Sequence, residues 1–256
     1  MAASALPGDN VPIQSVPMVP IGRVRSPFHG KFGAPRQPGL VPAATGMIEF
    51  FPPFADPDAL RGLDGFSHLW VIFLAHLIPA GDAFRPTVRP PRLGGNTRLG
   101  VFATRSLFRP NRIGLSLCRL DNIVLAPHPR LQVSGLDLAD GTPVLDIKPY
   151  LPYADAAADA RAGFATDLPT RVEVTIDPLV EPTITAREHT CPGFRDLLVQ
   201  TIAADPRPAY HDGTRSYVLD LAGSTVHFRS DGDGSALHIT AVEDQTTGIT
   251  QDHSDQ

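Results

Sequence analysis

Only two cysteines, Cys118 and Cys191, occur in 256 residues, and they lie far apart. Two isolated thiols cannot build a zinc site and give little reason to expect a disulfide, so the chain reads as a reduced, cytoplasmic protein. Charged residues are also scarce, at 19%. No apolar run approaches the length of a membrane span, and no basic segment followed by an apolar core marks a secretion signal. The glycine patterns that cradle phosphates are missing as well. No G-x-G-x-x-G follows a strand, no G-x-x-x-x-G-K-[ST] is present, and the glycines near 232–234 sit in a polar hairpin turn. A Rossmann dinucleotide site and a P-loop are therefore excluded. A G-x-S-x-G nucleophile elbow and an internal repeat are absent too. His68 and His76 stand eight apart in an apolar run with no Cys or carboxylate beside them, so no metal site is expected.

What is present points to β structure. The chain has 27 prolines, 22 glycines and 42% hydrophobic residues, enough for a core cut by many turns. Strands are expected at residues 19–26, 45–51, 66–76, 99–104, 113–124, 131–138 and 144–147, with a short helix at 56–63. Turn signals every ten or so residues suggest a closed or nearly closed sheet. The Ala- and Asp-rich stretch after it reads as a linker. Beyond come a strand at 170–176, a helix at 192–204 with Phe194, Leu197, Leu198, Thr201 and Ile202 at helical spacing, and three short strands. The expected layout is a loose leader (1–18), a main β domain (19–155), a linker (156–169), a small α+β domain (170–243) and a polar tail (244–256).

The most informative segment is residues 85–119, RPTVRPPRLGGNTRLGVFATRSLFRPNRIGLSLCR. It holds eight arginines, no lysine and no acidic residue, in a chain of net charge −5. The net charge argues weakly against a nucleic-acid partner, but phosphate contacts act within a Debye length of roughly 8 Å, so local charge decides. Arginine offers a planar fork of donors suited to carboxylate and phosphate. Its interleaving with Gly94-Gly95-Asn96 and Arg109-Pro110-Asn111 suggests loops held against an anionic ligand, rather than a merely solvated basic face. Pro35-Arg36-Gln37 is a stiff loop that presents polar donors at little entropic cost. His76 stands where a strand ends before Pro79, and strand ends open onto loops where ligands sit. Asp137 and Asp140 flank a turn, either as local caps or as acceptors for a ribose or an adenine amino group. Asp205-Pro206-Arg207-Pro208-Ala209-Tyr210 is a second stiff loop, whose Arg207 and Tyr210 suit an unstacked base.

Six segments together resemble one family: PRQPGL (35–40), GLDGFSHLWV (62–71), RPPRLGGN (89–96), GVFATRS with FRPN (100–111), DLADGTPVLDIKPYLPY (137–153) and DPRPAY (205–210). The chain is similar to the TrmO family, also called TsaA-like or VirR-like, over roughly residues 19–243. The resemblance implies a mainly β protein, with a single-sheeted N-terminal β-barrel and a small α+β C-terminal domain of the bacterial long form. It implies an S-adenosylmethionine-dependent methyltransferase, acting on N6 of threonylcarbamoyladenosine at position 37 of threonine tRNA, and a homodimer. The cofactor contacts it implies are Pro35, Arg36, Gln37, His76, Leu77, Arg105, Leu115 and the turn Ser134, Gly135, Leu136 and Asp137. Arg92, Asn96, Arg98, Arg109, Asn111, Arg207 and Tyr210 are expected to meet the tRNA. The general base is left among Asp137, Tyr150 and His76. Two departures are notable: the family pattern FRPNPIG is here FRPNRIG, with Arg112 in place of proline, and Leu107 stands where smaller or polar residues are common. The competing class is a non-catalytic barrel that binds an adenine nucleotide or RNA.

Overall fold

The computed structural model describes residues 15–78, 85–93, 96–207, 215–232 and 234–245, apart from the Arg92 side chain. Six strands close into an antiparallel barrel: β1 (Gly22–Arg25), β2 (Thr45–Phe50), β3 (His68–Leu74), β6 (Ile113–Val124), β7 (Arg130–Ser134) and β8 (Pro143–Pro149), in the order β1-β2-β7-β6-β3-β8. Closure comes from β8 meeting β1, with Gly22 opposite Val144. Two short strands, β4 (Thr87–Val88) and β5 (Leu99–Gly100), pair with each other outside the barrel.

The two-residue period of a strand sends alternate side chains inward. Leu69, Val71 and Phe73 of β3 fill the interior with Cys118 of β6, Leu131 and Val133 of β7, Ile48 of β2 and Val24 of β1. Gly114 makes room for Phe73. A Cβ on it would stand 2.1 Å from that ring, so no larger residue fits without moving the aromatic. The sequence suggested a strand from 66 to 76 buried throughout; the barrel buries only every second residue of β3, and Trp70, Ile72 and Leu74 lie half-buried on its outer side. Other strand limits also differ. The 131–138 stretch stops being a strand at Ser134 because Gly135 adopts φ +71, a left-handed turn. The 99–104 strand is only two residues long. Val101–Ala103 winds into a 3-10 turn, whose Val101 carbonyl accepts from Thr104 and Arg109 instead of from a neighbouring strand.

After a single helical turn, α1 (Pro152–Asp155), the chain builds a four-stranded sheet of β10 (Ser216–Leu221), β11 (Ser224–Ser230), β12 (Ala236–Asp244) and β9 (Glu173–Ile176). β9 runs parallel to β12, which requires a long crossover, supplied here by α2 (Glu181–Thr190) and α3 (Phe194–Ala203). Helix α2 was missed in the sequence because it buries only Ile184 and so carries no apolar stripe.

The two halves share one core. Phe28 pairs with Leu221 across them, Ala222 N–H donates to the Pro27 carbonyl at 2.8 Å, and Phe32 stacks on both Tyr217 and Phe228 at 6.4 Å.

Candidate active site

Strand direction decides where the site is. β1, β3 and β7 end, and β2, β6 and β8 begin, at the same mouth of the barrel. Three long connections therefore emerge there: 26–44, 75–112 and 135–142. They carry nearly all the residues the sequence singled out.

The first connection brings Pro35, Arg36 and Gln37. It lies against the third, because Gly39 N–H donates to the Gly135 carbonyl at 2.9 Å. A Cβ on Gly135 would stand 3.4 Å from Gly39 Cα, an ordinary van der Waals contact, so the left-handed φ of +71 rather than lack of space favours glycine there. Pro35 is buried, Gln37 is half-buried and Arg36 is exposed. Arg36 Nη2 donates to two backbone carbonyls of the C-terminal half, Arg207 at 2.7 Å and Asp205 at 3.3 Å.

The 135–142 connection places its two aspartates in different surroundings. Asp140 is a structural cap: it accepts from Ser26 N–H at 3.0 Å and pairs with Arg25 at 3.5 Å. Asp137 turns inward, where Ser116 Oγ donates to it at 2.5 Å. Burial pushes its carboxyl up to about 6, partly offset by the Ser116 hydroxyl and the nearby Arg105 guanidinium. Burial also pushes the neighbouring Cys118 thiol up to about 12, so that sulfur stays protonated and inert. Arg105 lies exposed at the rim and donates to the Leu115 carbonyl at 3.2 Å. Leu115 and Leu77 are exposed apolar side chains, at 47% and 37%. Ser134 lies half-buried with its hydroxyl on Asp121 at 3.1 Å, and Leu136 is fully buried beneath the turn.

His76 lies beyond the end of β3, so strand alternation does not set its direction relative to His68. It is hydrogen-bonded to the Asp140 backbone, and burial lowers its pKa below the ordinary histidine value. Tyr150 is elsewhere. It follows β8, its N–H donates to the His68 carbonyl at 2.9 Å, and its ring lies 6.0 Å from that of Trp70 at the opposite end of the barrel. The structure does not bring Tyr150 together with Asp137 and His76.

The arginine block divides into two parts. Arg109 Nη1 donates to the carbonyls of Thr104 (2.9 Å) and Val101 (3.2 Å), with its guanidinium 5.4 Å from the ring of Phe102. Arg112 sits at φ 51, a value that proline cannot adopt. Its N–H donates to the Arg109 carbonyl and its guanidinium to the Ile78 carbonyl at 2.9 Å. The Arg112 guanidinium thus staples the loop to the end of the segment that leaves β3. Arg119 pairs with Asp121 at 3.4 Å. Arg109 and Arg112 brace the 75–112 excursion, whereas Arg119 lies within β6. Arg89, Asn96, Arg98 and Asn111 are exposed along it. Leu107 packs half-buried against the core. Arg207, expected at the RNA, is enclosed: its side chain is 10% exposed and holds Asp205, Ser230 and the Gly234 carbonyl. Tyr210 and the Arg92 side chain lie outside the described residues. Among the described residues no cluster of three His, Cys, Asp or Glu side chains suits a metal, and no helix is long and apolar enough to cross a membrane.

A closed antiparallel barrel, with a part-buried carboxyl, a lowered histidine and exposed arginines at one mouth, places the protein outside the Rossmann class. Comparison with known proteins gives its family. The model of the tRNA-methyltransferase O N-terminal domain matches residues 23–156, and that of the TrmO C-terminal domain matches residues 169–245. The tRNA (adenine(37)-N6)-methyltransferase of Escherichia coli is 46% identical over 214 residues, spanning 82% of this chain and 91% of that protein. A putative S-adenosylmethionine-dependent methyltransferase of Pseudomonas aeruginosa, RcsF, is 49% identical over 217 residues, spanning 82% and 90%. A crystal structure of TrmO superposes with a TM-score of 0.75 at 40% identity, covering 90% of this chain and all of that one. TrmO from P. aeruginosa gives 0.76 at 37% identity, covering 92% and 100%. The chain belongs to the TrmO family.

Proposed function

We propose that this protein is an S-adenosylmethionine-dependent tRNA (adenine(37)-N6)-methyltransferase, and that its acceptor is adenine 37 of threonine tRNA already carrying the threonylcarbamoyl group. The observation that carries the reading is the convergence of the 35–39 loop, the 134–137 turn, Arg105, Leu115 and His76 on one mouth.

The residues of that mouth fit the methyl donor. The donor combines an adenine, a ribose, an ammonium, a carboxylate and a sulfonium. Exposed Leu77 and Leu115 offer apolar contact to an adenine, Asp137 an acceptor for hydroxyl or ammonium groups, and Arg105 a fork for a carboxylate. The close Gly39–Gly135 approach sets the backbone of the loop against the turn. When bound, the donor supplies an electrophilic methyl group.

The protein's own contribution is orientation and proton handling. In-line displacement needs donor and acceptor held along one axis with water kept out, and no nucleophilic side chain. The threonylcarbamoyl group places a urea carbonyl beside N6, which makes its proton easier to remove, and adds a carboxylate that an arginine can hold. Arg98, with Asn96 and Asn111, is exposed where it can receive that carboxylate and the adjoining phosphates. His76 is neutral and Asp137 largely ionised at pH 7–8, so both are in proton-accepting form. A homodimer in the cytoplasm, where tRNA is modified, completes the reading.

Labelled S-adenosylmethionine, incubated with threonine tRNA that carries or lacks the threonylcarbamoyl group, tests this. Label is expected only on the modified tRNA. Donor binding without transfer to either tRNA would instead make the protein a binding module.

A further inference from the structure

The loop expected to touch the methyl donor is anchored from outside the barrel. Besides the Ala222–Pro27 bond, four hydrogen bonds tie residues 36–43 to the C-terminal half: Arg36 to the carbonyls of Arg207 and Asp205, Ala43 N–H to Gln200 Oε1 at 3.0 Å, and Arg171 Nη2 to the Leu40 carbonyl at 3.0 Å. Phe32 adds its stack on Tyr217 and Phe228. By comparison, among the described residues the barrel holds residues 35–40 by the Gly39–Gly135 hydrogen bond.

The receiving loop is itself tightly determined. Asp205 follows the last turn of α3 at φ 50, a left-handed conformation that costs a non-glycine residue of order 1 kcal/mol or more. Arg207 holds it there. Its Nε and Nη2 grip both carboxylate oxygens of Asp205, at 2.7 and 3.0 Å. Its Nη1 donates to Ser230 Oγ at 2.7 Å, and Nη2 also donates to the Gly234 carbonyl at 3.1 Å. The enclosed guanidinium thus fixes both carbonyls that Arg36 grips. The β11–β12 turn, the α3 exit and the donor loop form one hydrogen-bonded chain.

We propose that the C-terminal domain sets the shape of the donor-binding loop, with Arg207 as a positioning residue that presents two backbone carbonyls to Arg36. Resting on the reading that residues 35–39 meet the donor, it makes the C-terminal domain a part of the S-adenosylmethionine site. A preorganised loop binds without a further ordering cost, so the effect falls on donor affinity before turnover.

The test is calorimetric titration of S-adenosylmethionine into the full-length protein and its variants, alongside kcat and the tRNA KM. Arg207→Ala is expected to raise the donor Kd about tenfold, about 1.4 kcal/mol, with the tRNA KM within about threefold of wild type. Hydrogen exchange at amides 36–40 is expected to quicken in the same variant. If Arg207→Ala is insoluble, Ser230→Ala removes one acceptor from the folded protein, with an expected threefold rise in the donor Kd. An unchanged donor Kd in the folded variant overturns the proposal, as does a rise confined to the tRNA KM, which would mark Arg207 as an RNA contact. Arg105→Ala and Asp137→Asn, outside this chain of contacts, separate the two levels of argument. If neither moves the donor Kd, the donor site itself is misplaced. If they move it and Arg207→Ala does not, only the positioning role fails.

Discussion

The two ends of the barrel are built from the same six strands and differ in almost everything else. One end carries the long connections 26–44, 75–112 and 135–142, with Lys31, Arg36, Arg85, Arg89, Arg98 and Arg105 exposed among them. The other carries residues 51–67, the short turn 125–129 and the exit from β8. It carries Asp56, Asp58, Asp64 and Asp155 with Arg61, Arg130 and Lys148 exposed beside them, and Asp56 and Asp155 are used as local caps. Among the described residues, the exposed charges on the connections of the first end are all positive, and those of the second are mixed. Closure of the sheet satisfies the strands at both ends alike, so the difference lies in the connections. The strands supply a common frame, and loop length and charge distinguish the proposed active end from the other.

Breaking this asymmetry gives graded effects. The largest concerns Asp137. Its carboxyl is raised from 3.8 to about 6 by burial, so the folded chain holds this proton more tightly than the unfolded chain. That contribution to stability is full below pH 3.8 and is lost as pH rises through about 6. Asparagine does not titrate. Asp137→Asn is therefore expected to match wild type below pH 3.8, to gain across that window, and to be more stable above it by up to about 3 kcal/mol while losing activity. Urea unfolding at pH 3.5 and pH 8 measures the gap. A wild type as stable as the variant at pH 8 would show that burial of Asp137 carries no cost.

Next comes the rim. Arg105→Ala is expected to lower kcat/KM by about 10- to 100-fold, the usual range for a lost hydrogen bond to a charged group, read by single-turnover methyl transfer. Asp64→Asn at the far end is expected to change it by less than about twofold, and equal losses at both ends would refute the asymmetry. A smaller effect belongs to Arg98. Arg98→Ala should weaken tRNA binding about three- to tenfold and reduce the slope of log affinity against log salt by about one, as loss of a single phosphate contact does. Filter binding at several salt concentrations gives both. The smallest belongs to Tyr150. Tyr150→Phe is expected to leave turnover within about twofold at every pH, whereas His76→Asn should flatten the acid limb of the pH–rate profile.

Much of this organisation was legible in the chain. Dense Pro and Gly punctuation between short apolar runs indicated a closed β architecture. PRQPGL, the arginine block and the 137–153 motif marked the connections that meet at the mouth. Assigning parts within that set was harder. Tyr150 stands only thirteen residues after Asp137, yet the seven residues of β8, at about 3.3 Å each, carry it the length of the barrel. Arg98 and Arg109 look alike in the sequence, but only Arg109 has two loop carbonyls within reach. Arg207 resembled an RNA contact because its burial depends on Ser230 and Gly234, more than twenty residues away. Helix α2 left no signal because it buries one side chain.

By itself, then, the sequence determined the class of structure and the segments that matter. Periodicity, turn chemistry and charge are local, and they are written in neighbouring residues. Tertiary structure alone decided which end of the barrel each segment reaches, which arginines are spent on unpaired carbonyls, and that a loop of the C-terminal half holds Arg36. Those outcomes rest on strand register and on backbone groups left without partners until distant parts of the chain come together.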